Sequence, residues 1–172
     1  TPSTGWAEMQ AAIHARRYHS TAVVLPDGRV ITGGGDDVQV GGVVEESWHS
    51  VEIFNPTFMF SPRPRITAFP ETISASGSQF SVSAVLRTTS EAGEFRVALV
   101  GPGSATHGVD FSQRYVVLDV DLDLTVPNPD PNAASTIFVN PPPNWAAPPG
   151  WYLLTVVNSD GMPSVARWVQ VG

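Results

Sequence analysis

The chain has 172 residues, 42% of them hydrophobic, with a formal charge of -7, and its cations are all Arg. The absence of Cys excludes disulfides, thiolate metal sites and cysteine nucleophiles, and the absence of Lys excludes Schiff-base chemistry. The negative charge argues against a nucleic-acid backbone as partner, and no apolar run approaches the roughly 18 residues that span a bilayer. No basic, apolar leader opens the chain, which is therefore expected to begin at a mature, internal or cytosolic position. With 15 Gly and 16 Pro and few helix-forming runs, the composition favours many short strands and turns.

In chain order, Trp6, Met9 and Ile13 have helical spacing, enough for a short helical turn that could not stand alone. Apolar Ala22–Leu25 and Arg29–Ile31 predict two strands joined by the turn Pro26-Asp27-Gly28, with Gly33-Gly34-Gly35 ending the hairpin. Residues 36–48, polar and Gly-rich, read as a loop. Ser50–Phe54 alternates as a half-buried strand does. Three strands in about 40 residues fit most of one four-stranded propeller blade. A blade cannot bury its own faces, so residues 1–61 are expected to need neighbouring blades that lie outside this chain.

The stiff stretch Ser61-Pro62-Arg63-Pro64-Arg65 predicts a boundary, giving two units, 1–61 and 62–172. Beyond it, strands are expected near 66–69, 79–86, 95–100, 113–119, 136–139, 151–158 and 165–171. Seven short strands separated by Gly, Pro, Asn and Asp turns suggest an immunoglobulin-like sandwich, with Trp151–Val157 at its centre. The fold class expected is thus all-β, the last blade or blades of a kelch-type propeller followed by an immunoglobulin-like sandwich.

Candidate chemistry is sparse. Tyr18-His19 puts a phenol beside an imidazole at the mouth of a buried strand, and His107 sits in a loop between two later strands. Packing roles for the first pair and a surface role for His107 are the plain alternatives. Imidazole and phenolate are nonetheless a sensible donor set for Cu(II). His14 and His49 read as structural, and no HExxH, GxSxG or Gly-rich phosphate loop is present.

Tyr18-His19-Ser20, Leu25-Pro26-Asp27-Gly28-Arg29-Val30, Gly33-Gly34-Gly35, Ile53-Phe54-Asn55-Pro56, Arg63-Pro64-Arg65-Ile66, Ala105-Thr106-His107, Gln113-Arg114, Pro149-Gly150-Trp151-Tyr152 and Gly161-Met162-Pro163-Ser164-Val165-Ala166 resemble, in the same order, motifs of galactose oxidase and glyoxal oxidase. The chain resembles the C-terminal portion of that family of copper-radical oxidases. The resemblance implies oxidation of primary alcohols or aldehydes by O2 with release of H2O2, on an alcohol, aldehyde or carbohydrate substrate. It implies copper held by Tyr18, His19 and His107, with Tyr18 also the base that takes the substrate hydroxyl proton. Adjacent side chains on a regular strand point opposite ways, so Tyr18 and His19 share a metal only where the backbone is irregular.

The family's second cofactor, a tyrosyl radical on a Cys-linked tyrosine, cannot be built in a chain without Cys and is expected from the missing N-terminal propeller portion. Tyr115 and Tyr152 match no ligand motif. The resemblance further implies an extracellular or cell-surface location, and no nucleic-acid partner or membrane span is expected. The competing reading is a non-catalytic immunoglobulin-like binding or structural module with a propeller remnant.

Overall fold

A computed structural model describes residues 8–38, 44–47, 49–87, 95–106, 109–112, 114–126, 130 and 132–172. Four strands make a first antiparallel sheet: β1 (Tyr18–Val24), β2 (Val30–Val38), β3 (Val44–Ser47) and β4 (Val51–Phe54). β2 is its spine. It pairs with β1 along one side, with β4 through Val30–Gly33 on the other, and with β3 at its far end. The predicted hairpin turn is present, closed by Leu25 N donating to Arg29 O (2.8 Å) and Gly28 N to Leu25 O (2.8 Å).

Three expectations need correction here. Gly33-Gly34-Gly35 does not end the hairpin, because β2 runs through it to Val38. The stretch 36–48 is not simply a loop, since it contains the end of β2 and all of β3. The helical turn expected from Trp6, Met9 and Ile13 begins outside the described residues, and from residue 8 to β1 the chain is not helical and only bends at Ile13 and His14. With one flank of that segment tied to Glu52, as detailed below, side-chain anchoring replaces helical hydrogen bonds.

A 3₁₀ turn at Thr57–Phe60 leads out of the sheet. Eleven strands follow: β5 (Arg65–Ala68), β6 (Thr72–Ile73), β7 (Phe80–Val85), β8 (Arg96–Val100), β9 (Ala105–Thr106), β10 (Val109–Asp110), β11 (Tyr115–Leu118), β12 (Val120–Val126), β13 (Ala134–Val139), β14 (Gly150–Val157) and β15 (Arg167–Val171). Nine of them form two sheets, ordered β11-β8-β14-β15-β6 and β12-β13-β7-β5. Val82, Ala84, Ile137 and Val139 of one sheet and Leu99, Leu154, Val156 and Val169 of the other close on a single core. β14 is central, paired with β8 and β15 and buried from Tyr152 to Val157, as the apolar run Trp151–Val157 predicts. Every strand expected in this half is present. β6, β9, β10 and β12 are further strands outside the expected set, and β12, written Val-Asp-Leu-Asp-Leu-Thr-Val, has a period-two alternation visible in the sequence.

The sheet and the sandwich meet at two places. At the first, Ala166 N donates to Pro26 O (2.8 Å) in the β1–β2 turn. Beside it Arg63, in the Pro-rich stretch, donates to Pro163 O (2.7 Å) and Ser164 O (3.0 Å). The guanidinium also lies 5.1 Å over the Phe58 ring. At the second, β9 packs on β1, and Gly103 faces Val23.

Candidate metal centre

The chain enters β1 through Arg16 and Arg17 into Tyr18 and His19, and the entry is irregular. His19 has φ 58°, in the left-handed region. For a residue with a bulky side chain this costs about 1–3 kcal/mol, and such strain concentrates at functional sites. On either side of it the β1–β2 register is regular, Tyr18 opposite Asp36 and Ser20 opposite Gly34, while the His19–Gly35 pair between them is broken. The consequence is the one that shared ligation requires. Instead of pointing to opposite faces, the Tyr18 and His19 rings lie together, centroids 3.8 Å apart and planes inclined by 33°. Both residues are exposed.

The glycine run opposite exists for this kink. A Cβ on Gly34 (φ 69°) would lie 2.6 Å from the His19 carbonyl oxygen, and one on Gly35 (φ 116°) 3.2 Å from Arg16 Cα. Any side chain at Gly34 would force the His19 carbonyl or Gly34 itself to shift. Glycine identity here is therefore set by the approach of β1, a signal present in the sequence as three consecutive glycines but readable only once the register is known.

Polar contacts anchor the segment just before the kink. Arg16 donates to Gly34 O (2.7 Å), Ser50 Oγ (3.1 Å) and Glu52 Oε1 (3.0 Å). Glu52 also accepts from Ile13 N (2.6 Å) and His14 N (3.3 Å). The Ile13 amide, then those of His14 and the Arg16 guanidinium, hold the Glu52 carboxyl below its ordinary pKa. Ser20 Oγ donates to Arg17 O (2.7 Å) across the kink itself.

From the sandwich side, Gly101–Ser112 forms a short hairpin. β9 pairs with β10, and Asp110 Oδ1 accepts from Ser104 N (2.9 Å) and Ser112 N (3.0 Å). The two residues that join β9 to β10 are His107 and Gly108, which lie outside the described residues. Their flank, β9, is the element that packs on β1.

The described donors fit copper as far as they go: one phenol and one imidazole, adjacent in sequence and turned to one side by a strained backbone. Among the described residues no group of three His, Cys, Asp or Glu gathers, at this place or elsewhere. His14 is half-buried with its amide on Glu52, His49 is exposed at the start of β4, and Tyr152 is buried with its hydroxyl on Pro148 O (2.9 Å). Tyr115 lies on β11. Sequence reasoning missed Arg16, whose partners come from β2 and β4 and have no local signature.

A four-stranded sheet joined to a two-sheet sandwich defines an all-β protein, and the Tyr18–His19 pair stands at the entry of its first strand. Residues 63–171 match the family described as Galactose oxidase-like, Early set domain. The chain belongs to the galactose oxidase and glyoxal oxidase family. It is 38% identical to Aldehyde oxidase GLOX of Vitis pseudoreticulata, over 91% of this chain and 30% of that protein. Aldehyde oxidase GLOX1 of Arabidopsis thaliana is 33% identical over 95% of the chain and 27% of its own length. Galactose oxidase of Gibberella zeae is 31% identical over 91% and 21%. The chain thus spans less than a third of each of these relatives. A solved fungal alcohol oxidase of the AA5 family, in complex with copper, superposes with a TM-score of 0.70, 24% identity, and coverage of 94% of this chain and 32% of that one. That likeness shows a shared fold. No helix among the described residues is long and apolar enough to cross a membrane.

Proposed function

We propose that the chain is the C-terminal part of a copper-radical oxidase that converts primary alcohols or aldehydes with O2, releasing H2O2. In this reading Tyr18, His19 and His107 hold the metal, residues 1–61 are the last part of a kelch propeller, and 62–172 are the immunoglobulin-like domain that closes it. The observation that carries the proposal is the left-handed His19, which places the Tyr18 and His19 rings side by side. Two further facts support it: β9, the flank of His107, packs on β1, and the relatives are named aldehyde and galactose oxidases.

Copper, when bound, supplies a one-electron acceptor and an acid that makes a coordinated hydroxyl easier to deprotonate. The chain's own residues then have defined tasks. The Tyr18 phenolate oxygen takes the substrate hydroxyl proton, with the metal making that hydroxyl easier to deprotonate. His19 and His107 would hold the copper, and through it the substrate oxygen would be oriented toward Tyr18. The exposure of Tyr18 leaves that oxygen open to a small alcohol or aldehyde. The second electron acceptor, a Cys-linked tyrosine, belongs to the propeller portion beyond this chain, as does the wall that selects substrate. An oxidase of this kind acts outside the cell or at its surface.

The test is H2O2 release from primary alcohols and aldehydes with copper and oxygen supplied. The full-length protein turns over and its Tyr18→Phe variant loses at least about a hundredfold, the scale of a positioned base. The isolated chain is silent, because an unmodified phenol does not hold a stable radical. Turnover by the isolated chain, abolished by Tyr18→Phe, contradicts this division of labour.

A further inference from the structure

Arg16 is outside the ligand set, yet its side chain is buried, 6% exposed, two residues before Tyr18. Its guanidinium reaches across β2. Nη1 donates to the carbonyl of Gly34, the partner of Ser20 just past the kink, and Nη2 reaches Ser50 and Glu52 on the far side of that strand. Arg16 Cα also lies 3.2 Å from where a Cβ on Gly35 would sit, so the glycine run is the floor on which this side chain rests. Nε is buried with no acceptor among the described residues.

Resting on the assignment of Tyr18 and His19 as copper ligands, we propose that Arg16 is a positioning residue that holds those two rings on one side of the strand. It does so by pinning Gly34 against the His19 carbonyl and by tying the entry segment to Glu52. The planar guanidinium can span three acceptors at once, which a Lys ammonium on a flexible stem cannot do in the same geometry.

The experiment uses the full-length protein. In the metal-free wild type, a nuclear Overhauser contact joins the His19 and Tyr18 rings, and Arg16→Met loses it while the circular dichroism of the sandwich is unaltered. With Cu(II) added, Arg16→Met binds about tenfold or more weakly, the scale for losing a group that orients a ligand, and its spin-resonance spectrum shifts. Arg16→Lys restores neither. A ring contact kept, or an affinity and spectrum unchanged in Arg16→Met, overturns the proposal. Should Arg16→Met fail to fold, Glu52→Gln carries the test, since it removes the counter-charge without changing shape, and an unaltered ring contact and affinity there overturn the proposal equally. A wild type that binds no copper, with the ring contact still lost in Arg16→Met, removes the ligand assignment and leaves the hold of Arg16 on the rings standing.

Discussion

The two halves of this molecule are held together by different forces. The sandwich is closed by apolar side chains with no exposure, among them Val82, Leu99, Ile137, Leu154 and Val169. In the first sheet the residues that are fully buried, among the described ones, are Gly33 and Gly35. Of its large apolar side chains Val24, Val51 and Ile53 are exposed and Val23, Val30, Ile31 and Phe54 only half-buried, and polar groups do the joining: Arg16 with Glu52, Asp27 with Arg29, Arg63 with the sandwich backbone. One half has an apolar core of its own, while the other carries the strained His19 and has none among its described residues. Strain at the proposed ligand pair is supported by tertiary contacts, chiefly hydrogen bonds, and not by bulk burial.

The comparison breaks most visibly in the sandwich. Leu154→Ala empties a fully buried site between the sheets and should cost about 2–5 kcal/mol, read as a lower denaturant midpoint of the sandwich transition. Its effect on the Tyr18–His19 ring contact should be nil. A smaller change is expected on the other side. Gly34→Ala faces both a positive φ and a 2.6 Å clash with His19 O, and should cost about 1–3 kcal/mol. The signature is selective: amide exchange in Tyr18–Val24 accelerates while β8 and β14 stay protected. Equal acceleration in both halves would contradict the separation of forces.

The smallest effect is electrostatic. Burial pushes the Asp27 carboxyl up, but the Arg29 amide and guanidinium, with Arg63, outweigh it and hold the pKa below 3.8. The unfolded chain therefore binds the proton more readily. The stabilisation is present above pH 3.8 and is lost as pH falls through the folded value. Acid should loosen the β1–β2 turn from Ala166 before it touches the sandwich, and Asp27→Asn should flatten that part of the pH dependence. An unchanged slope in Asp27→Asn would remove Asp27 from the junction.

Much of this was legible in the sequence because its causes are local. The Pro26-Asp27-Gly28 turn, the apolar run of β14 and the seven spaced strands each follow from neighbouring residues. The requirement for an irregular backbone at Tyr18-His19 was also legible, and φ 58° at His19 meets it. What escaped was non-local. The three glycines look like punctuation until β1 is laid against them, and Arg16 looks like a surface charge until β2 and β4 bring Gly34, Ser50 and Glu52 beneath it. β3 escaped because residues 36–48 are polar and glycine-rich, which favours a loop on composition alone.

The claim on which the rest depends is that the sheet and the sandwich each contribute to one copper site. Cu(II) spin resonance on the full-length protein, its His19→Ala variant and its His107→Ala variant tests it directly. One copper per chain in the wild type is predicted, with the signal lost or recast by either substitution alone, one in each half of the molecule. A wild-type spectrum in both variants would contradict it.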